Sequence, residues 1–163
     1  MATPQDHASL LNINNLQVPD SQVVVVYTEW NEPIIQHLLK GAQNIFDLFP
    51  SVSVRLLRVP GAVEIPYALK MAYRHLKPDA LIAFGCIIRG ETPHFEYVSQ
   101  SVTQGITQLN LDLDSPVIFG VLTVENEQQA IERLGGEHGH KGEEAAIAAL
   151  KMIHLKNLLR TKA

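Results

Sequence analysis

Cysteine is almost missing from this sequence. The single one, Cys86, lies inside an apolar run, so no disulfide can form within the chain and a reducing, cytoplasmic setting is the expectation. Basic runs are missing too. With a net charge of -4 and an isoelectric point near 5.9, the chain offers no lysine- and arginine-rich stripe to grip a phosphate backbone, so no nucleic-acid partner is expected. No apolar run reaches the roughly 18 residues that a membrane helix needs. The opening stretch MATPQDHASLLNINNLQVPD has neither the basic n-region nor the apolar core of a signal peptide. Neither secretion nor membrane insertion is expected. Charge itself is scarce, at 18% of residues against 46% apolar, which leaves room for a large buried surface or a subunit interface.

What is present is enough for one domain. A chain of 163 residues buries about two thirds of the surface exposed when unfolded and needs no metal or disulfide staple. Residues 21–163 are read as that domain, with residues 1–20 as an N-terminal extension or interface segment. The run VVVVY, Val23 to Tyr27, is β-branched and short, as in a strand covered on both faces. From Asn31, read as an N-cap followed by Pro33 in the first turn, the period becomes helical through Ile34, Ile35, Leu38, Ala42 and Phe46. The alternation repeats. Val52 to Val59 is a predicted strand, and Ile65, Leu69, Ala72 and Leu76 mark a helix. Ala80 to Cys86 is a third strand, and a helix begins near Pro93. Val117 to Val121 is a fourth strand, and Asn126 to Leu134 a short helix with capping-box spacing at Asn126 and Gln129. GGEHGHKG reads as a loop before a last helix from about Glu143 to Leu159. Strands alternating with helices predict right-handed crossovers onto a parallel sheet, hence a flavodoxin-like α/β/α sandwich with a central four-stranded sheet. Leu10 to Leu16 fits none of these elements and is assigned as an extra edge strand on a neighbouring subunit.

In an open parallel sheet, ligands bind outside the carboxyl ends of the strands. That rule selects four loops, TEWNEP, PGAVEIP, IIRGETPH and LTVEN. Trp30, Glu64, Arg89, Glu91 and His94 fall in three of them, and one shared crevice is expected. Gly90 permits a turn, Thr92 is able to cap and Pro93 to open a helix, so the third loop reads either as an anion site of helix-terminal amides or simply as a helix start. There Arg89 looks like the obvious anion ligand. His94 would stand in that first turn, able to accept and donate protons near neutral pH, although a lone histidine is as often structural. Trp30, the only tryptophan, offers a face for a planar ring or fills the rim of a core. Glu64 either accepts hydrogen bonds from a ligand or complements a helix dipole. Arg133 and Lys141 either clamp an anion or are solvated. His138 and His140 lack the companions of a metal site, and Cys86 reads as an inert core thiol.

The segments VPGAVEIPYALK, GCIIRGETPHFEYV, PVIFGVLT, QAIER and HKGEEAA follow one another in the order and spacing of the 6,7-dimethyl-8-ribityllumazine synthase family. The resemblance runs from about Val23 to the end of the last helix. It implies a transferase of riboflavin biosynthesis that condenses 5-amino-6-(D-ribitylamino)uracil with L-3,4-dihydroxy-2-butanone 4-phosphate through an imine, loss of phosphate and ring closure. It implies no metal and no organic cofactor. By correspondence, Trp30 and Phe119 flank the pyrimidine; Ala62, Val63 and Glu64 meet the ribityl chain; and Cys86, Ile87 and Ile88 run along the same substrate. Glu91 and Thr92 form the phosphate turn, Arg133 is its cationic partner with help from Lys141, and His94 transfers protons. Arg89 thereby loses the role of phosphate ligand. The resemblance further implies a homo-pentamer with sites at subunit interfaces, a sixty-subunit shell, since the interval from Arg133 to Lys141 carries no insertion, and riboflavin synthase as a partner.

Two features depart from the family pattern: Val63 stands where an aromatic is frequent, and EHGH replaces smaller residues before Lys141. Two other readings compete with the enzyme. A flavin or lumazine binder that lost its chemistry would need Trp30 and Phe119 but not His94 or Arg133, and another flavodoxin-like enzyme acting on a phosphosugar would have less use for Trp30.

Overall fold

The computed structural model describes residues 11–161. Four strands form one parallel sheet: β1 Ser21–Thr28, β2 Val52–Val59, β3 Ala80–Ile88 and β4 Val117–Val124, in the order β2-β1-β3-β4. Helices α1 Glu32–Phe46, α2 Ile65–Leu76 and α3 His94–Asp112 follow the first three strands. The short α4, Glu127–Ile131, follows the fourth, and a hairpin of β5 Leu134–Gly136 and β6 Gly139–His140 leads into α5 Lys141–Thr161. The expected flavodoxin-like sandwich is what the chain forms.

The valine run shows why the sheet sits in the middle layer. Side chains alternate across a strand: Val23 and Val25 point into a core with Leu38, Phe84, Ala146 and Leu150, while Val24 and Val26 point into another with Leu69, Leu81, Val102 and Ile106. One face is therefore covered by α1 and α5 and the other by α2 and α3. All four valines are at most 1% exposed, and full burial of such side chains is worth about 1.5–3 kcal/mol each. The helices approach closely where glycine allows: a Cβ on Gly142 of α5 would stand 2.1 Å from the Leu38 carbonyl of α1, and one on Gly105 of α3 would stand 2.5 Å from Pro66 of α2.

Several local expectations differ from the structure. Asn31 precedes α1 but does not cap it with its side chain; its backbone is left-handed at φ 60°, and the carboxamide is used elsewhere. Pro93, not Thr92, is the residue before α3, which begins at His94. GGEHGHKG is a small hairpin, not a loop, with positive φ at Gly135 and Gly139. His140 is not solvated there: its ring stacks over Gly41 of α1 and its Nδ1 accepts from the Gly142 amide at 3.2 Å. The expected Asn126 cap is present, accepting from the Gln129 amide at 3.0 Å. Leu10 lies outside the described residues; the remainder of the Leu10–Leu16 segment forms no strand, and Leu16 rests on the α1 and α5 core.

Candidate active site

The strand register creates the crevice. β3 pairs with β1 only as far as Tyr27 opposite Phe84, but with β4 as far as Val124 opposite Ile88. From Gly85 to Ile88, β3 therefore has a bare edge on the β1 side, where the chain order reverses direction across the sheet. Asn31 occupies part of that edge, donating from Nδ2 to the Cys86 carbonyl at 2.8 Å. Because every second residue of a strand turns its amide and carbonyl to the same side, the backbone groups of Ile88 face the crevice as that carbonyl does. They offer a donor and an acceptor to the edge of a flat amide-like ring.

The loops close a cavity of about 430 Å³ around this edge. Thr28 Oγ1 donates to the Trp30 carbonyl at 3.2 Å, folding the β1 exit. Trp30 projects from it with 74% of its surface exposed, an aromatic face without an intramolecular cover. Gly61, in extended backbone, leads into a single 3-10 turn, Ala62–Glu64, which brings Ala62, Val63 and Glu64 to the opposite wall. His94 and Val98 of α3 close the third side. Trp30, Ala62, Val63, Glu64, Cys86, Ile87, Ile88 and His94 are thus brought together, all of them candidates read from sequence. Asn31 joins them without having been read as a site residue; the only signal was an asparagine directly after the tryptophan, which the cap reading absorbed.

Cys86 is buried, and burial together with the nearby Glu127 carboxylate pushes its thiol up to about 11. A thiol held protonated at neutral pH is no nucleophile, so Cys86 contributes a wall and a carbonyl.

The remaining candidates lie elsewhere. Glu91 and Thr92 are exposed on the turn into α3, with Thr92 Oγ1 at 3.5 Å from the His94 amide. Phe119, Arg133 and Lys141 line a second cleft of about 590 Å³ beside β4 and α5, which shares no residue with the first. Arg133 donates from Nη1 to the Gln129 carbonyl at 2.6 Å, and the Lys141 ammonium is held by both oxygens of Glu144 at 2.7 and 2.8 Å. Among the described residues Arg133 therefore has no carboxylate partner, whereas Lys141 is already neutralised by Glu144. Arg89 and Glu91 do not line the shared crevice as expected. Arg89 donates to Glu96 of α3 and, at 2.6 Å, to Glu125 after β4, and its guanidinium lies 4.2 Å from the Phe95 ring centre. Those bonds raise the guanidinium above its ordinary value, Glu96 first, and hold the Glu96 carboxyl below the usual range. Among the described residues, no cluster of three or more histidine, cysteine or acidic side chains is fit to hold a metal. No helix there is long and apolar enough to cross a membrane.

A doubly wound α/β sandwich with an aromatic platform, a bare strand edge, a carboxylate and a histidine around one cavity defines the class: a flavodoxin-like protein with a candidate small-molecule site at its switch point. Residues 20–157 match the family model for 6,7-dimethyl-8-ribityllumazine synthase. Curated proteins of that name resemble the chain over most of its length. The Porphyromonas gingivalis protein is 49% identical over 142 residues, covering 85% of this chain and 88% of its own. The Parabacteroides distasonis protein is 42% identical over 159 residues, covering 94% and 98%, and that of Bdellovibrio bacteriovorus 47% identical over 134 residues, covering 82% and 74%. The chain belongs to the 6,7-dimethyl-8-ribityllumazine synthase family.

Proposed function

We propose that this chain condenses 5-amino-6-(D-ribitylamino)uracil with L-3,4-dihydroxy-2-butanone 4-phosphate, releasing phosphate and water and forming 6,7-dimethyl-8-ribityllumazine. The observation that carries the assignment to residues is the single cavity holding Trp30, Glu64, the bare β3 edge and His94. A pyrimidine is flat and carries amide donors and acceptors on its rim. It stacks on the exposed indole and bonds to the free backbone groups of Ile88, while Glu64 accepts from ribityl hydroxyls. The 5-amino group then attacks the ketone and water leaves to give an imine; elimination of phosphate leaves an enol that tautomerises to a carbonyl, and the ribitylamino nitrogen attacks that carbonyl and expels a second water to close the ring. His94, at the cavity wall and two residues beyond Thr92, moves protons among these steps. A positioned acid-base group contributes about 10²- to 10⁴-fold. Much of the remaining acceleration comes from holding two flexible reactants in register, since alignment replaces a bimolecular encounter.

One chain supplies only part of the site. Phe119, Arg133 and Lys141 stand in a separate cleft, so a second copy brings them to the first copy's cavity. The β2 edge with Leu56 and the β4 edge with Phe119, both nearly half exposed, and the low charge of the chain support such a homo-oligomer; the number of copies, five and in turn sixty, comes from the family resemblance. Within it Arg133 meets the phosphate beside Glu91 and Thr92, and Lys141 adds charge only when Glu144 yields it. Residues 1–20 serve as the interface segment, and a cytoplasmic location and riboflavin synthase as a partner belong to the same reading. Mixing the protein with both substrates and following lumazine absorbance is the test; absorbance that does not rise above the uncatalysed rate refutes the assignment.

A further inference from the structure

We propose that Arg89 is a positioning residue, bridging α3 and the β4 exit so that the turn carrying Glu91 and Thr92, and with it His94, is held at the mouth of the cavity. The inference rests on the reaction proposed above for what the turn is used for, but the bridge itself is read from contacts alone. Arg89 ends β3. Its amide still donates to the Val124 carbonyl at 2.9 Å, which fixes the backbone on the β4 side. From there its side chain spans two elements: Nη1 to Glu96 in the first turn of α3, and Nε to Glu125 Oε2 at 2.6 Å just beyond β4. The guanidinium plane lies over the Phe95 ring at 4.2 Å, and Phe95 itself is set against the α2 and α3 core. A planar fork satisfying two carboxylates and stacking on a ring is a task for arginine and not for lysine.

The segment between these anchors is otherwise poorly held. Residues 91–94 are all exposed, no side chain caps α3, and the nearest approach to a cap is the 3.5 Å separation of Thr92 Oγ1 and the His94 amide. A turn with so few bonds of its own takes its position from its ends. Both carboxylates are engaged with Arg89 and the guanidinium is turned toward them, so the cation acts on the reaction through the turn and not by touching phosphate.

The test uses the full chain with both substrates. Arg89→Ala raises KM for the ketone phosphate about tenfold, less than the roughly hundredfold that misplacement of a reacting group can cost. KM for the pyrimidine and the quenching of Trp30 fluorescence by that substrate stay within about twofold. The double variant Glu96→Gln/Glu125→Gln raises the same KM, and adding Arg89→Ala to it changes nothing further. A ligand of phosphate released from its carboxylates would instead bind phosphate better, so a lowered KM in the double variant overturns the proposal. So does an Arg89→Lys variant indistinguishable from the parent. Amide hydrogen exchange over residues 90–98 gives a readout independent of turnover: it quickens in Arg89→Ala and in the double variant, and unchanged exchange in both refutes the bridge even if the parent makes no lumazine. Absent lumazine with quickened exchange refutes the reaction and leaves the bridge standing.

Discussion

Asn31 couples an unusual backbone to a single side-chain bond, and the two contributions separate by substitution. Replacing it with alanine removes the bond from Nδ2 to the Cys86 carbonyl, 2.8 Å long and partly buried, at a cost of about 1 kcal/mol. It also puts alanine, which tolerates the left-handed region less well than asparagine, at φ 60°, adding about 1 kcal/mol. Asn31→Ala is therefore expected to destabilise by about 2 kcal/mol. Glycine enters that conformation freely, and its extra freedom in the unfolded chain offsets part of the gain, so Asn31→Gly costs about 1 kcal/mol. At about 2–4 °C per kcal/mol for a chain of this size, thermal melting should place the variants about 3 °C and 6 °C below the parent. The loss should also reach the site, because Trp30 adjoins Asn31; pyrimidine binding followed by Trp30 fluorescence weakens in both. Equal melting temperatures for the two variants would refute the backbone contribution, and a parent-like Asn31→Gly would refute the bond.

Four further outcomes are expected. His94→Ala lowers kcat by about 10²- to 10⁴-fold while leaving assembly intact by size-exclusion chromatography; an unchanged rate removes His94 from proton transfer. Arg133→Ala raises KM for the ketone phosphate and not for the pyrimidine, and mixing dissociated Arg133→Ala and His94→Ala subunits before reassembly restores part of the activity, because some interfaces then unite two intact halves. No recovery argues for sites contained within one chain. The Cys86 thiol, pushed up to about 11 from an ordinary 9.0, reacts slowly with iodoacetamide at pH 8. Since its folded value is the raised one, the stability it contributes is present below about 9 and lost between 9 and 11; fast alkylation at pH 8 would refute the burial argument. Gly105→Ala gains about 1 kcal/mol in helix propensity yet places a Cβ 2.5 Å from Pro66. Crowding of that kind costs about 1–3 kcal/mol, so the variant melts lower, and Pro66→Ala in the same chain relieves the loss.

Much of this architecture is legible from residues alone because the strands are short β-branched runs and the helices keep one apolar stripe. Val52–Val59 and the apolar face of Ile65–Leu76 have the limits that the pattern implies. Where reading fails, the cause is a contact distant in sequence. Asn31 has the composition of a cap but answers to Cys86, 55 residues away. GGEHGHKG looks solvated, yet the His140 ring lies against Gly41 of α1, 99 residues earlier in the chain. Arg89 beside a glycine turn reads as an anion ligand until Glu125, remote in sequence, is found to claim it. The cavity itself follows from the loop rule at the strand ends; the separation of Phe119 and Arg133 from it does not, since no local pattern records which face of β4 a neighbour will meet.

The two clefts that share no residue bear on inheritance as well as chemistry. In a ring built as proposed, a copy lacking Arg133 works normally with its own His94 and disables the site next door. In a cell expressing parent and variant together, which sites fail depends on who sits beside whom, although each variant copy disables one site wherever it sits. Total activity would fall in proportion to the share of variant copies, and at mixed interfaces of that polarity the site lost is one whose His94 the parent copy supplies, so part of the damage from one altered gene copy is borne by the products of the other.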